Sequence, residues 1–116
     1  MPGMLSSMRS AKFLNREKVI KKLVEISGKA RERNKNIRQV ILFGSLADGT
    51  CTATSDADLL IVIEDGKDRF IDRIPEFLMY FVDAPVAVDV FPYKEDEIIR
   101  VPLAQRAISN GIVLVG

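Results

Sequence analysis

Two short segments, Ile37–Phe43 (IRQVILF) and Asp58–Glu64 (DLLIVIE), set the frame for the whole chain. Each is rich in β-branched and apolar residues and each is closed by glycine or turn residues, the signature of a buried strand. The second is so nearly continuous in its apolar character that it requires a sheet covered on both faces. A third run, Val86–Phe91 (VAVDVF), and a last short one, Ile112–Val115, add strands.

Between these runs the apolar period changes to that of a helix. Val19, Ile20, Leu23, Val24 and Ile26 recur at helical spacing, with Asn15 as a candidate N-cap and an end near Arg33. Phe70, Ile71, Ile74, Phe77, Leu78 and Phe81 repeat the pattern, with Pro75 expected to kink that helix or start a second one. The segment from Lys94 to Asn110 reads as helical, interrupted or begun afresh at Pro102 and stopped at Asn110-Gly111. Helix and strand therefore alternate, which predicts an α/β (α+β) domain with a mixed central sheet of about four strands and covering helices. Residues 1–14 lack periodicity and read as a loose terminus; residues 15–116 read as one domain, the size expected for 116 residues with 47% hydrophobic content.

Composition narrows the chemistry. With no histidine, every histidine-based metal site or catalytic triad is excluded, and the single Cys51 cannot form an internal disulfide. Any metal must be held by oxygen. No apolar stretch approaches the ~20 residues of a membrane span and no secretory h-region is visible, so the expected location is cytoplasmic. The formal charge is +1, but Met1 to Arg38 carry eleven Lys or Arg against three Glu, while the rest carries six against thirteen acids. That basic arm suits phosphates, nucleic acid or an acidic protein, and equally a solvated helix face.

The segment that carries chemistry runs from Gly44 to Asp58, between two predicted strands. Gly44-Ser45 at a strand exit gives close backbone approach and donors for phosphate. Asp56 and Asp58 are two apart at the start of a strand, so both carboxylates reach one point, and such a pair suits magnesium. Asp89 interrupts an apolar strand, where a carboxylate is disfavoured; if that strand pairs beside the Asp58 strand, Asp89 supplies a third ligand of a two-metal site. Each piece alone has an ordinary reading: a strand exit with an N-cap, a turn aspartate, or carboxylates hydrogen-bonded to loops. Together they are rarer. With each residue type at about 6%, Gly-Ser, ten residues, then Asp-x-Asp arises by chance in roughly one in a thousand chains of this length.

This arrangement resembles the motif of the DNA polymerase β-like nucleotidyltransferase superfamily, specifically its minimal branch, over about Ile37 to Gly116. The resemblance implies that Gly44 and Ser45 hold a nucleoside triphosphate, that Asp56 and Asp58 bind two magnesium ions, and that Asp89 binds one and helps deprotonate the attacking hydroxyl. It further implies transfer of AMP from ATP to a hydroxyl, with a helical HEPN-type toxin as partner and one of its tyrosines as acceptor, an antitoxin role. Many relatives carry arginines just after Gly-Ser, where this chain has Leu46 and Asp48; Arg106 or a basic group of the first helix could compensate. The alternative is a nucleotide-binding subunit that neutralises its partner by contact alone. A homo-oligomer is compatible with the sequence, and direct nucleic-acid binding is not expected.

Overall fold

The computed structural model describes residues 2–50 and 56–116, with side chains described from Arg16 onward. Eight elements follow the chain: α1 (Pro2–Arg33), β1 (Ile37–Phe43), α2 (Ser45–Asp48), β2 (Ala57–Ile63), α3 (Phe70–Leu78), β3 (Val88–Lys94), α4 (Pro102–Asn110) and β4 (Ile112–Val115). Short 3-10 turns at Met79–Phe81 and Ile98–Arg100 complete the path. The sheet order is β3-β2-β1-β4. β1 is antiparallel to both of its neighbours, and β2 and β3 run parallel, joined through α3.

The predicted four-stranded mixed sheet is thus present, and β2 is covered on both faces as its sequence requires. Ala57, Leu59, Ile61 and Ile63 face one core, built with Val19, Leu23, Ile26 and Ala30 of α1 and Phe77 of α3. Leu60 and Val62, pointing the other way, meet Ile41 and the small residues Ala104 and Ala107 of α4. Period two on the strand and a 4-3-4 spacing on α1 account for this division.

Several boundaries differ from the sequence expectation, and β2 runs Ala57–Ile63, one residue earlier than Asp58–Glu64. The backbone of α1 begins at Pro2, so Asn15 lies inside the helix instead of capping it. The upstream stretch from Met4 to Phe13 contains no proline or glycine, and nothing in its propensities stops a helix that packing of α1 already holds in place. β3 starts two residues later than Val86 and continues through Pro92 to Lys94. Proline is tolerated there because β3 is an edge strand, where a missing N–H removes no ladder bond. Pro75 lies within α3 without dividing it, and the 3-10 turn at Met79–Phe81 follows directly. Pro102 does begin a helix, at the first position, where its fixed φ and absent N–H are harmless.

Gly111 makes the tight join between α4 and β4. A Cβ at this position would lie 2.6 Å from Ile41 Cγ2 and 2.7 Å from the Leu42 carbonyl oxygen, besides meeting the Ala107 carbonyl. Because two of these neighbours are backbone atoms, no side-chain adjustment makes room. Among the described residues no helix is long and apolar enough to cross a membrane.

Candidate active site

The register of the parallel pair decides how the acidic residues meet. Asp58 on β2 is the partner of Asp89 on β3, so their side chains leave the same face of the sheet side by side. That face is the one on which Leu60, Val62, Phe91 and α4 pack; the carboxylates occupy its uncovered end. Phe43, in register with Asp58, and Phe91, two residues beyond Asp89, bring their rings to a centroid separation of 5.3 Å on this side. The aromatic pair closes the apolar floor between the carboxylates and α4.

Asp58 is half-buried, whereas Asp56 and Asp89 are exposed. Asp89 is therefore not the buried mid-strand carboxylate that the apolar run Val86–Phe91 suggests; it is the second residue of an edge strand. Burial pushes the Asp58 pKa up, and the negative charges of Asp89 and then Asp56 push it further in the same direction. Three like charges thus act on one another around Asp58. Such a cluster is unfavourable by itself and becomes favourable beside a cation.

Gly44 stands directly against this group. Its φ of 79° and ψ of −160° lie in a region that only glycine populates readily. A Cβ at Gly44 would come 2.5 Å from Asp58 Oδ2. The chain therefore needs glycine here twice, once for the backbone and once for the carboxylate. Gly44→Ala is expected to lower stability by about 1–3 kcal/mol and to swing Asp58 out of line, so that activity falls further than the population of folded protein. Thermal melts combined with turnover per folded molecule separate the two effects; an alanine variant with wild-type turnover would remove Gly44 from the site.

Ser45 starts α2, a single turn whose Ala47 and Asp48 N–H groups both donate to the Gly44 carbonyl at 3.1 Å. Its far end is tied down from α1. Arg16 donates from Nε to the Leu46 carbonyl at 3.0 Å and from Nη2 to the Ala47 carbonyl at 2.8 Å. The basic helix thus contributes a guanidinium to the last carbonyls of α2, and Arg16 is committed to them. Leu46 is 5% exposed and packs into the α1 core. An arginine at position 46 would have to abandon that contact to reach a phosphate. Asp48 accepts from Thr50 N at 3.1 Å and Thr50 Oγ1 at 2.6 Å, and the hydroxyl bond to Thr50 holds its carboxyl below the usual range. Residues 51–55, Cys51 among them, lie outside the described residues.

Beside Gly44, a cavity of about 310 Å³ opens between α2 and α4. Its α4 wall is one helical stripe, Leu103, Arg106, Ala107 and Asn110, and Phe43 and Gly44 contribute its strand side. The sequence alone marks Arg106 only as a spare cation; its place beside Gly44 comes from the packing of Ala104 and Ala107 on the sheet.

No group of three Asp, Glu, Cys or His side chains among the described residues is drawn together closely enough to hold a metal ion as it stands. The donor chemistry nonetheless suits magnesium, which takes one or two carboxylates and completes its octahedron with water and substrate phosphate oxygens. A half-buried carboxylate with a raised pKa and two acidic neighbours is such a donor set.

The sequence profile of the family described as "Nucleotidyltransferase domain" matches residues 12–114. Over 69 residues the chain is 41% identical to the "Putative protein adenylyltransferase" of Methanocaldococcus jannaschii, a match covering 59% of this chain and 66% of that relative. In structure it resembles "a putative nucleotidyltransferase from Sulfolobus solfataricus", with a TM-score of 0.67 and 23% identity over 89% of this chain and 85% of the other. The last likeness speaks for the fold alone. With the profile spanning nearly the whole of it, the chain belongs to the nucleotidyltransferase domain family.

Proposed function

We propose that this protein transfers AMP from ATP to a hydroxyl group of another protein. The observation that carries the reading is the side-by-side pairing of Asp58 and Asp89 against Gly44, with Asp56 close enough to bear on the Asp58 charge. The adenylyltransferase name of the Methanocaldococcus relative supports a protein acceptor and an adenylyl donor.

In this reading Asp56, Asp58 and Asp89 would hold magnesium, two ions in all, and Gly44 and Ser45 would receive the triphosphate. Bound there, magnesium supplies positive charge to the entering and leaving oxygens of an in-line displacement at phosphorus. The chain's own residues do the rest. Gly44 lets the polyphosphate approach the backbone without a side chain in the way, and Ser45 offers a hydroxyl donor at the head of α2. Asp89, at the exposed edge of the sheet, is the carboxylate best placed to take the proton of an incoming hydroxyl from solvent. Phe43 and Phe91 keep water from the back of the group.

The acceptor we favour is a tyrosine of a helical HEPN-type toxin, with this chain as the minimal nucleotidyltransferase antitoxin. Its support is the resemblance of the Gly44–Asp58 segment and of Asp89 to the minimal branch of the superfamily. Co-expression with the protein encoded beside it, followed by intact-mass spectrometry, tests the reading. The partner should gain one or more AMP units, and Asp56→Asn should abolish the gain while the complex persists. A partner neutralised equally well by the Asp56→Asn protein, and never heavier, would replace the transferase with an antitoxin that acts by contact alone.

A further inference from the structure

Arg106 stands out among the cations of this molecule. It projects from α4 into the cavity that Gly44 shares, on the sheet face that carries Asp58 and Asp89. Among the described residues it makes neither an ion pair nor a hydrogen bond, although Asp48 lines the same cavity. Asp48 is engaged by Thr50, and Arg16 reaches only the carbonyls at the end of α2. Among the described residues the cavity consequently has one uncommitted cation, and Leu46 is turned into the core.

We propose that Arg106 receives the β- and γ-phosphates of the bound nucleotide, so that α4, and not α2, provides the positive charge for the departing pyrophosphate. The inference rests on the nucleotidyltransferase reading and adds a residue to it. Two features support the polyphosphate over the base as the occupant beside Arg106. The guanidinium is a planar fork that matches two phosphate oxygens, and it is free to form both bonds without breaking an existing one. It also lines the same cavity as Gly44, whose missing side chain leaves the backbone beside Asp58 open. A polyphosphate whose α-phosphorus lies at Asp58 can extend past Gly44 toward α4. Leu103 and Ala107 flank the arginine with apolar surface, which strengthens a charge-assisted bond formed there.

The test compares ligands that differ only in the phosphates concerned. Titrations in magnesium use a non-hydrolysable ATP analogue with a methylene bridge between the α- and β-phosphorus, and AMP separately. Arg106→Gln should weaken the analogue about 10- to 100-fold and AMP by no more than about twofold, the loss expected for one or two charge-assisted bonds. Arg106→Lys should recover only part of the loss, because a point charge still reaches a phosphate but lacks the second bond of the fork. The residue is exposed, so both variants should melt with the wild type. Unchanged affinity for the analogue in Arg106→Gln, or an equal loss for AMP, overturns the inference and leaves the transferase reading intact, provided the wild type still transfers AMP. A wild-type protein that binds neither ligand overturns both.

Discussion

Replacing Asp58 with asparagine is expected to reduce nucleotidyl transfer by about 10³-fold, roughly 4 kcal/mol at 1.36 kcal/mol per decade, while the folded chain becomes no less stable. The two effects have one cause. Asp58 is half-buried beside the charges of Asp89 and Asp56, which makes its carboxylate a burden on the apo fold and, in the proposed reading, would make it a ligand for a cation. Its folded pKa lies above the unfolded value, so in the apo protein the charge opposes folding at neutral pH. That opposition fades as acidification protonates Asp58 in the folded chain first. The melting temperature of Asp58→Asn should therefore equal or exceed that of the wild type at pH 7, and the difference should shrink as the pH is lowered through the carboxylate range. A variant that loses activity together with several degrees of stability would show that Asp58 serves the fold, contrary to this account.

The second large effect concerns a residue remote from the chemistry. Glu97→Ala should destabilise the protein by about 2–3 kcal/mol, roughly 10 °C in Tm for a domain of this size. Arg73 on α3 is 1% exposed and all of its bonds are internal. Its Nε donates to the Lys67 carbonyl at 2.6 Å, Nη1 to the Pro92 carbonyl at 3.1 Å, and Nη2 to the Asp68 carbonyl at 3.1 Å. The guanidinium fork grips Glu97 with Nη1 to Oε1 at 2.7 Å and Nη2 to Oε2 at 3.1 Å. Glu97 Oε1 also accepts the Lys94 N–H at 2.7 Å, tying the turn after β3 to the same centre. Without the carboxylate a buried cation is left uncompensated. The Glu97 side chain is 28% exposed, which admits water and holds the cost below that of a fully buried pair. The Arg73 hydrogen bond lowers the Glu97 pKa from the ordinary 4.5, so the contribution is complete above about that pH and is lost as acid reaches the depressed folded value. Wild type and Glu97→Ala should thus converge in strong acid. A Tm shift under about 2 °C at neutral pH would mean that water replaces the carboxylate without penalty.

How far such features can be read from the chain alone varies with their cause. β1 and β4 have the bounds their sequences predict, because Gly44 and Gly111 punctuate them sharply. β3 extends past Pro92, since the sequence does not say which strand lies at the sheet edge, and only an edge tolerates that proline. The neighbouring placement of Asp58 and Asp89 was legible as a condition, that their strands pair; the parallel register that meets it is a property of the whole sheet. Arg73 passes unnoticed in a reading by hydrophobic pattern. Yet it is three residues beyond Phe70 and four before Phe77, on the apolar stripe of α3, and a charge in such a stripe is the available sign of a buried pair. Arg106 could be named from the sequence but not located, for its position depends on how α4 rests on Ile41, Leu60 and Val62.

The parallel pairing of β2 with β3 has a consequence for how activity is acquired. Gly44 follows β1 directly, Asp58 is on β2 and Asp89 on β3, and the last two are joined only after the chain has passed through α3 and closed a non-local parallel ladder. Such ladders form late, because loop-closure entropy must be overcome before the contacts reward it. No local fragment of the chain can hold the group together. Assembly of this group is then an all-or-none report on completed folding: a nascent, nicked or thermally opened chain has no partial version of it.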